Sequence, residues 1–243
     1  MQQIFPIFNP VTQELIGYKE RGLVHRHGDW HKGIQANVLR KNSMGSFDIL
    51  IQERSATVDI GRCRFDQSLA TQMLDLDGLD ELKALRRGLL SELSIRRYRS
   101  VRIGRDLRIA KTYNEHLDVL NREIISIFLV EVDNDEPVAA ITPKIKQLVW
   151  MPWDSFLEFF TERMTDFTKT AQFYFGEPDL LQQIRDESFR MLSLTPDAGT
   201  EKQEHITSPP LIRIDRWPAK FKTYQGNIAR ALSEAGELDI VSY

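Results

Sequence analysis

The segment from Leu79 to Leu93 most restricts the fold, because its leucines recur at helical spacing. The positions are Leu79, Leu82, Leu85, Leu89, Leu90 and Leu93. Residues three and four apart share one side of an α-helix, so an amphipathic helix is predicted here. The aspartates of the preceding "DLDGLDE" suit a helix start, both as caps and as charges near the positive end of the helix dipole. Strand-like segments lie on both sides, so one helix interrupts a series of strands.

The strand-like segments form two predicted hairpins and three longer strands. "QIFPIFNPVTQELIGYKERG" has two apolar runs around a turn at Asn9-Pro10, and "GIQANVLR" and "FDILIQER" lie on either side of the turn-like "NSMGS". "RSVRIGRDLRIAKTY", "REIISIFLVEVD" and "QLVWMPW" follow as strands. The most apolar stretch, "EIISIFLVEV", is too short to span a bilayer and is predicted to be a buried strand.

Helices dominate the last part of the sequence. "DSFLEFFTERM" is predicted to be a helix capped by Asp154, and "DFTKTAQFYF", "PDLLQQIRDESFRMLSL" and "WPAKFKTYQGNIARALSEAGEL" are predicted to be helical as well. The aromatic residues of this region have the spacing of core residues: Trp150, Trp153, Phe156, Phe159 and Phe160. The predicted order along the chain is strands, one helix, further strands and then helices. This order indicates an α+β fold. We predict a domain over residues 1–176 and a helical C-terminal extension over 177–243, with a polar loop near 195–210.

Composition excludes several classes of function. The formal net charge of -3 and pI near 6.0 give no electrostatic reason to expect a nucleic-acid or membrane partner. Cys63 is the single cysteine, so no intramolecular disulfide can form. The first residues, "MQQIFPIFNP", lack the pattern of a signal peptide, and a cytoplasmic location is therefore expected.

The helix "RRGLLSELSI", with "IQERS" before it and "VWMPWDSF" after it, resembles the diagnostic box of the Nudix superfamily. Further resemblance lies in "NPVTQELIGYKERGLVHRHGDWHKGIQANVL", "ILIQERS", "NREIISIF" and "WMPWDSFLEFF", so that it runs from about residue 10 to 175. The resemblance implies an α/β/α sandwich around a mixed sheet. It also implies metal-dependent hydrolysis of a diphosphate, with Mg²⁺ or Mn²⁺ as cofactor and a small-molecule diphosphate ligand as partner. A homodimer is a further expected assembly.

The box departs from the family pattern at its metal ligands. Arg87 takes the place of its arginine and Glu92 that of its third glutamate, whereas Gly88 and Ser91 stand where the other two belong. Ser94 stands at the closing glycine, and Thr71 falls at the opening one. In the family these glutamates share one side of the helix and hold a hard divalent ion against the diphosphate. With Glu92 alone, the helix cannot provide a normal metal site.

Other acids are candidates to compensate. The loop before the box carries Asp75, Asp77, Asp80 and Glu81; Glu53 and Glu123 lie on predicted strands. The alternative for the loop is a solvated helix entry with capping aspartates. The candidate catalytic residues are Glu92, Glu123 and Glu81; the candidate substrate-binding residues are Arg87, Arg54 and Lys32; the candidate metal ligands are Glu92, Glu123, Asp77, His25 and His31.

Within the superfamily, the pattern is closest to the branch of isopentenyl-diphosphate isomerase. Glu92 and Glu123 match metal-binding glutamates of that branch, and His25 and His31 resemble its two early histidines. The resemblance fails elsewhere. Asn121 replaces a second strand glutamate, Ala70 falls at the reactive cysteine, and Gln72 falls at a third histidine. Loss of the proton-transferring thiol argues against allylic isomerisation.

Two charged or polar segments each have two interpretations. In "HRHGDWH", the histidines and Asp29 could bind a transition metal, or the segment is an extended edge whose histidines alternate between solvent and a neighbouring loop. The arginines of "RRYRSVRIGRDLR" could contact a phosphate-bearing ligand or form a solvated face.

Three functions stay open at this point. The first is a metal-dependent diphosphate hydrolase with an altered site, the second is a catalytically inactive Nudix-like binding module, and the third is an isomerase or lyase acting on a prenyl diphosphate.

Overall fold

A computed structural model describes residues 3–58, 61–113 and 119–193. Its strands are β1 (Ile4–Phe8), β2 (Leu15–Glu20), β3 (Trp30–Lys41), β4 (Phe47–Arg54), β5 (Phe65–Asp66), β6 (Leu69–Gln72), β7 (Arg99–Tyr113), β8 (Val119–Glu131) and β9 (Ile145–Pro152). Its helices are α1 (Arg21–His27), α2 (Glu81–Leu93), α3 (Trp153–Arg163), α4 (Lys169–Phe175) and α5 (Pro178–Ser193). The predicted α+β class is confirmed.

Strand β3 is the centre of a mixed sheet. It pairs parallel with β8 and antiparallel with β1, β4 and β6. The outer pairs are β1 with β2, β4 with β5 and β9, and β7 with β8, all antiparallel. The two predicted hairpins, β1–β2 and β3–β4, are therefore confirmed, as is the strand formed by "EIISIFLVEV".

Two apolar cores lie on opposite sides of this sheet. Helix α2 buries Ala84, Leu85, Leu89 and Leu93 against one side. Helices α3, α4 and α5 cover the other side, where the aromatic cluster is centred on Phe156, Phe160, Phe167, Tyr174 and Phe175. Alternate residues of a strand point to opposite sides of a sheet, so consecutive residues of β3, β6 and β8 belong to different layers. We call these the α2 side and the α3–α5 side.

Several local predictions need correction. The extended reading of "HRHGDWH" is wrong, because Arg21–His27 forms helix α1, which ends at Gly28 in the left-handed region, with φ 66°. Leu79 lies outside α2, with φ 67°, and is exposed. Helix α3 begins at Trp153, so Asp154 lies in its first turn and is not its cap. The short strands β5 and β6 were not predicted, because too few residues carry their alternation.

The end of the described chain packs onto the same domain. Leu180, Ile184, Met191 and Leu192 of α5 lie in the core on the α3–α5 side. The predicted boundary after residue 176 therefore falls immediately before a helix that contributes to this core. The predicted polar loop and the predicted helix near the C-terminus lie outside the described residues. Within the described ranges, no helix has the length and apolarity needed to cross a membrane.

Candidate functional site

The loop before α2 is fixed to the helix by a buried ion pair. Arg87 donates from Nε to Oδ1 of Asp77 and from Nη2 to Oδ2, each at 2.9 Å. Arg87 also donates to the backbone carbonyl of Gln72 at 2.5 Å, and Asp77 accepts from the backbone N–H of Leu74 at 2.7 Å. Asp77 is only 1% exposed. Both charges are therefore committed to holding the loop, β6 and α2 together.

The start of α2 is capped by Asp80. Its Oδ1 accepts from the backbone N–H groups of Leu82 and Lys83 at 2.9 and 3.2 Å. Part of the alternative interpretation of the acidic loop, that of capping aspartates, is thus confirmed for Asp80. At the other end, Ser94 has φ 62°, a backbone conformation that favours glycine, in the position where the box has its closing glycine.

Gly88, which the resemblance aligns with the first helix glutamate of the box, lies where α2 approaches β6 closely. A Cβ atom at this position would lie 2.7 Å from Cγ2 of Thr71 and 3.0 Å from Cδ2 of Leu69. No side chain fits there without movement of β6 or the helix. Ser91, at the second missing glutamate, is exposed. Residue 88 therefore lies in close packing that only glycine allows without movement, whereas residue 91 faces solvent.

Glu92 is the residue that the resemblance aligns with the third glutamate of the box. Thr71 and the positive charges of Lys144, Arg87 and Arg54 act to lower the pKa of its carboxyl group. Burial nevertheless raises the pKa of Glu92 above its ordinary value. The charged groups that most affect its pKa are thus all cations.

Glu81, the predicted catalytic acid at the start of α2, is shared by two cations. Lys32 Nζ lies 2.8 Å from Oε1, and Arg102 Nε lies 3.3 Å from Oε2. Arg102 also donates to Ser126 Oγ at 3.3 Å. Lys32 was a predicted substrate-binding residue, but its grouping with Glu81 and Arg102 was not predicted. Lys32, Ser126 and Arg102 come from β3, β8 and β7, so only the sheet register could have revealed this group.

The remaining predicted groups near the box are also paired. Arg54 Nη1 lies 3.3 Å from Asp66 Oδ2. Glu53 accepts from Lys146 Nζ at 2.7 Å and from Gln147 Nε2 at 2.6 Å. These contacts hold β4 to β5 and β9 at the edge of the sheet.

The two principal predicted acids, Glu92 and Glu123, lie on opposite sides of the sheet. Thr71 packs against α2 at Gly88 and acts on the pKa of Glu92, whereas Glu123 accepts a hydrogen bond from Gln72. Thr71 and Gln72 are consecutive residues of β6, and their side chains point to opposite sides. The structure therefore does not bring Glu92 and Glu123 together.

Glu123 instead lies in a second group of polar residues, on the α3–α5 side. Glu123 pairs directly with His31 in the β3–β8 register, and the His25 and His31 ring centroids lie 5.3 Å apart. Asn121, two residues before Glu123 on β8, is on the same side of the sheet. We call His25, His31, Gln72, Asn121 and Glu123 the His25 cluster. Phe5 closes it, with ring centroids 6.0 Å from His25 and 5.2 Å from His31.

Both histidines of the cluster are held in the neutral form. Burial, with His31 and Arg21 nearby, lowers the pKa of His25 to about 4. Burial also lowers the pKa of His31, against the opposing effect of Glu123. His31 Nδ1 lies 3.1 Å from the backbone carbonyl of Asp29. A carbonyl only accepts, so Nδ1 carries the proton and Nε2 of the neutral ring is an acceptor.

Polar atoms of this cluster lack hydrogen-bond partners within the described part of the chain: His25 Nε2, His31 Nε2, Gln72 Oε1 and Asn121 Oδ1. Buried polar atoms are normally paired, so such a group calls for an explanation. The described residues contain no group of three or more His, Cys, Asp or Glu side chains placed to hold a metal ion. The metal roles of His25, His31, Glu123, Glu92 and Asp77 stay predictions.

Similarity to known proteins is found at the level of structure. No protein-family model matches the sequence, and neither does any curated protein. A Nudix hydrolase from Alicyclobacillus acidocaldarius is similar at 12% identity and a TM-score of 0.49, over 68% of this chain and 97% of that one. The Nudix hydrolase RenU from M. smegmatis is similar at 8% identity and a TM-score of 0.45, over 79% and 98% of the two chains.

The NUDIX domain of Shewanella oneidensis NrtR, solved with ADP ribose, is similar at 9% identity and a TM-score of 0.41, over 64% of this chain and 86% of that chain. Similarity at these levels concerns the arrangement of strands and helices. It transfers neither an activity nor a substrate to this chain, whose fold is a mixed sheet with helices on both sides.

Proposed function

We propose that this protein is a Nudix-like binding module that holds an anionic, diphosphate-containing small molecule on the α2 side of the sheet without hydrolysing it. The carrying observation is that cations gather on the α2 side: Lys32 and Arg102 lie at Glu81, and Lys144, Arg87 and Arg54 act on Glu92. Several cations on one side of the sheet favour an anionic ligand, and an arginine guanidinium suits phosphate oxygens.

We infer the absence of hydrolysis from the contacts that the acidic side chains make. Asp77 is used by Arg87, and Glu92 is surrounded by cations. The close packing of Gly88 on Thr71 leaves no room for another carboxylate there. A divalent ion bound at a box of this kind supplies charge for the diphosphate and activates a water, but several oxygen ligands are needed to hold it.

The test is calorimetric titration of the full chain with ADP-ribose, nucleoside triphosphates and isopentenyl diphosphate, with and without Mg²⁺, followed by assay for released phosphate. We expect binding of at least one compound without Mg²⁺ and no product. Lys32→Met should weaken this binding about tenfold, because an ion pair to a phosphate contributes on the order of 1–2 kcal/mol. Lys83→Met, on the exposed side of α2, is the matched control and should change nothing.

A metal-dependent hydrolase with an altered ligand set is the second candidate. It is favoured by Glu92, the retained box acid, which is partly buried against Thr71. This function would be established by release of phosphate that requires Mg²⁺ or Mn²⁺ and is abolished by Glu92→Gln. Such a result would overturn the binding-module proposal. The isomerase or lyase has less support, since Ala70 and Gln72 lack the thiol and imidazole of that branch.

A further inference from the structure

The outer edge of the β1–β2 hairpin is exposed and apolar. Among the residues that the structure describes, β2 pairs with β1 alone and ends one edge of the sheet. Its side chains Leu15, Ile16 and Tyr18 are 39%, 65% and 50% exposed. An open strand edge that carries apolar side chains is a template for pairing with a further strand. This edge contributes none of the cations proposed above to bind an anionic ligand.

A bulge brings two of these apolar side chains to the same side of the hairpin. The β1–β2 register shifts between Ile7 and Phe8, so that β2 has one residue more than β1 at this point. Tyr18 lies opposite Pro6, and Leu15 lies opposite Phe8. Pro6 and Phe8 point to one side of the sheet, because they are two residues apart on a strand, and opposite residues of paired strands share a side. Leu15 and Tyr18 therefore form one apolar strip along the edge.

The backbone of Tyr18 points away from β1. Arg21 N–H donates to the carbonyl of Gln3 at 3.0 Å, in the same register that sets Tyr18 opposite Pro6. Bonded and non-bonded pairs alternate along an antiparallel ladder, so Tyr18 and Pro6 are a non-bonded pair. Proline has no N–H to donate, which agrees with this assignment. The N–H and C=O groups of Tyr18 are thus directed to the outer edge.

We propose that two copies of this chain pair antiparallel through β2, with the two Tyr18 residues opposite each other on a twofold axis. Each Tyr18 N–H donates to the Tyr18 carbonyl of the other copy, and the two apolar strips of Leu15 and Tyr18 join across the axis. A twofold axis that relates identical surfaces is the commonest symmetry of protein dimers.

The charges on β2 favour this register. With Tyr18 on the axis, Lys19 lies opposite Gly17 of the second copy and Glu20 opposite Ile16, so no like charges meet along residues 16–20. The register centred on Lys19 would set two ammonium groups directly opposite each other, which destabilises a strand pair. The Lys19 ammonium is instead paired with Asp29 of its own chain.

Sedimentation velocity of the full chain tests the association, over about 1–500 µM because a short strand pair forms a weak dimer. We expect a reversible monomer–dimer equilibrium. Tyr18→Pro should weaken it about tenfold or more, because the dimer loses two hydrogen bonds, one from each copy, and both phenol rings. A proline whose missing N–H faces away from the ladder leaves the β1–β2 hydrogen bonds in place.

A second variant and a control accompany this measurement. Tyr18→Lys keeps the N–H but sets two like charges together on the axis, and it should also dissociate the dimer. Val11→Lys changes an apolar side chain that is 67% exposed in the hairpin turn, and it should leave the equilibrium unchanged. Far-UV circular dichroism verifies the fold of each variant.

Disulfide cross-linking tests the register. The background is Cys63→Ser, which removes the exposed native thiol. Tyr18→Cys should give a covalent dimer on mild oxidation, because the Cα atoms of a bonded pair lie about 5.5 Å apart, within reach of a disulfide. Gly17→Cys and Lys19→Cys are the matched controls and should not cross-link, because each residue is offset from its own copy along the strand. A Cβ atom at Gly17 meets nothing within 4 Å, so this control fits the fold.

Three outcomes overturn the proposal. A chain that stays monomeric over the whole concentration range would show that the β2 edge does not pair with a second copy. A dimer that both Tyr18→Pro and Tyr18→Lys leave intact would show that the copies meet at another surface. Cross-linking through residue 17 or 19 in preference to residue 18 would show that the two strands meet in a different register.

Discussion

The two sides of the sheet satisfy their polar groups in opposite ways. On the α2 side, Asp77, Glu81 and Glu92 each have cations beside them. On the α3–α5 side, polar atoms of the His25 cluster have no hydrogen-bond partner among the residues that the structure describes. A buried charge is costly to separate from its partner, whereas buried polar atoms without partners call for an explanation. Arg87, on the helix that resembles the box, thus has a structural role: it holds α2 to Asp77 and to β6.

The largest effect is expected where a paired charge is broken. Arg87→Ala leaves the buried carboxylate of Asp77 without its cation, and such changes cost about 3–5 kcal/mol. Urea unfolding measures the loss. Arg86→Ala, on an exposed neighbouring position, should stay within about 0.5 kcal/mol. Equal effects of the two substitutions would show that the ion pair with Asp77 contributes little.

The next largest effect is a dependence of the free energy of unfolding on pH, which comes from His25. The pKa of His25 is lowered to about 4, so between about pH 6.5 and 4 the unfolded chain binds a proton that the folded chain does not. Stability should therefore fall as the pH falls through this range, by up to about 3 kcal/mol from this residue. His25→Gln should remove this part of the pH dependence, while His27→Gln should leave it intact. A pH profile unchanged by His25→Gln would contradict the burial argument.

A smaller effect is expected from restoring the first box acid. Gly88→Glu forces Cβ against Thr71, and overpacking of this kind costs about 1–3 kcal/mol. We also expect no hydrolytic activity from it. Ser91→Glu, on the exposed side of the helix, is the control, with a change below about 0.5 kcal/mol. Unfolding curves and a phosphate-release assay test both points, and metal-dependent turnover in Gly88→Glu would show that the site needs only this one acid.

The smallest effect is expected at Glu92. Burial raises its pKa, so the folded chain holds a proton above the pH at which the unfolded chain has released it, and the residue destabilises the fold as the pH rises. Glu92→Gln should therefore be neutral or stabilising near pH 7, by less than about 1 kcal/mol. It should also flatten the stability profile above the ordinary pKa of glutamate. A destabilised variant would indicate that the surrounding cations outweigh burial.

Much of the fold followed from local patterns. The leucine spacing predicted α2, and the apolar runs on either side of turn residues predicted the two hairpins. The aspartates before α2 predicted a capped helix start, and Asp80 is the residue that caps it. Local sequence failed where tertiary contacts override it. The histidine segment was read as extended, but Val24 and His25 are buried in helix α1. Strands β5 and β6 were missed, because two and four residues are too few for a periodic signal.

The sequence by itself determined which chemical groups are available: an α2 helix with two acids, Glu81 and Glu92, and a histidine segment. It also determined that residue 88 has no side chain. Only the tertiary structure decided where these groups lie relative to one another. Thr71 and Gln72 are adjacent in sequence, yet Thr71 packs against α2, which carries Glu92, and Gln72 contacts Glu123, because successive residues of a strand point to opposite sides of its sheet. The register of β3 with β6 and β8 then separates the two predicted acids and assembles the His25 cluster, and no local pattern records that register.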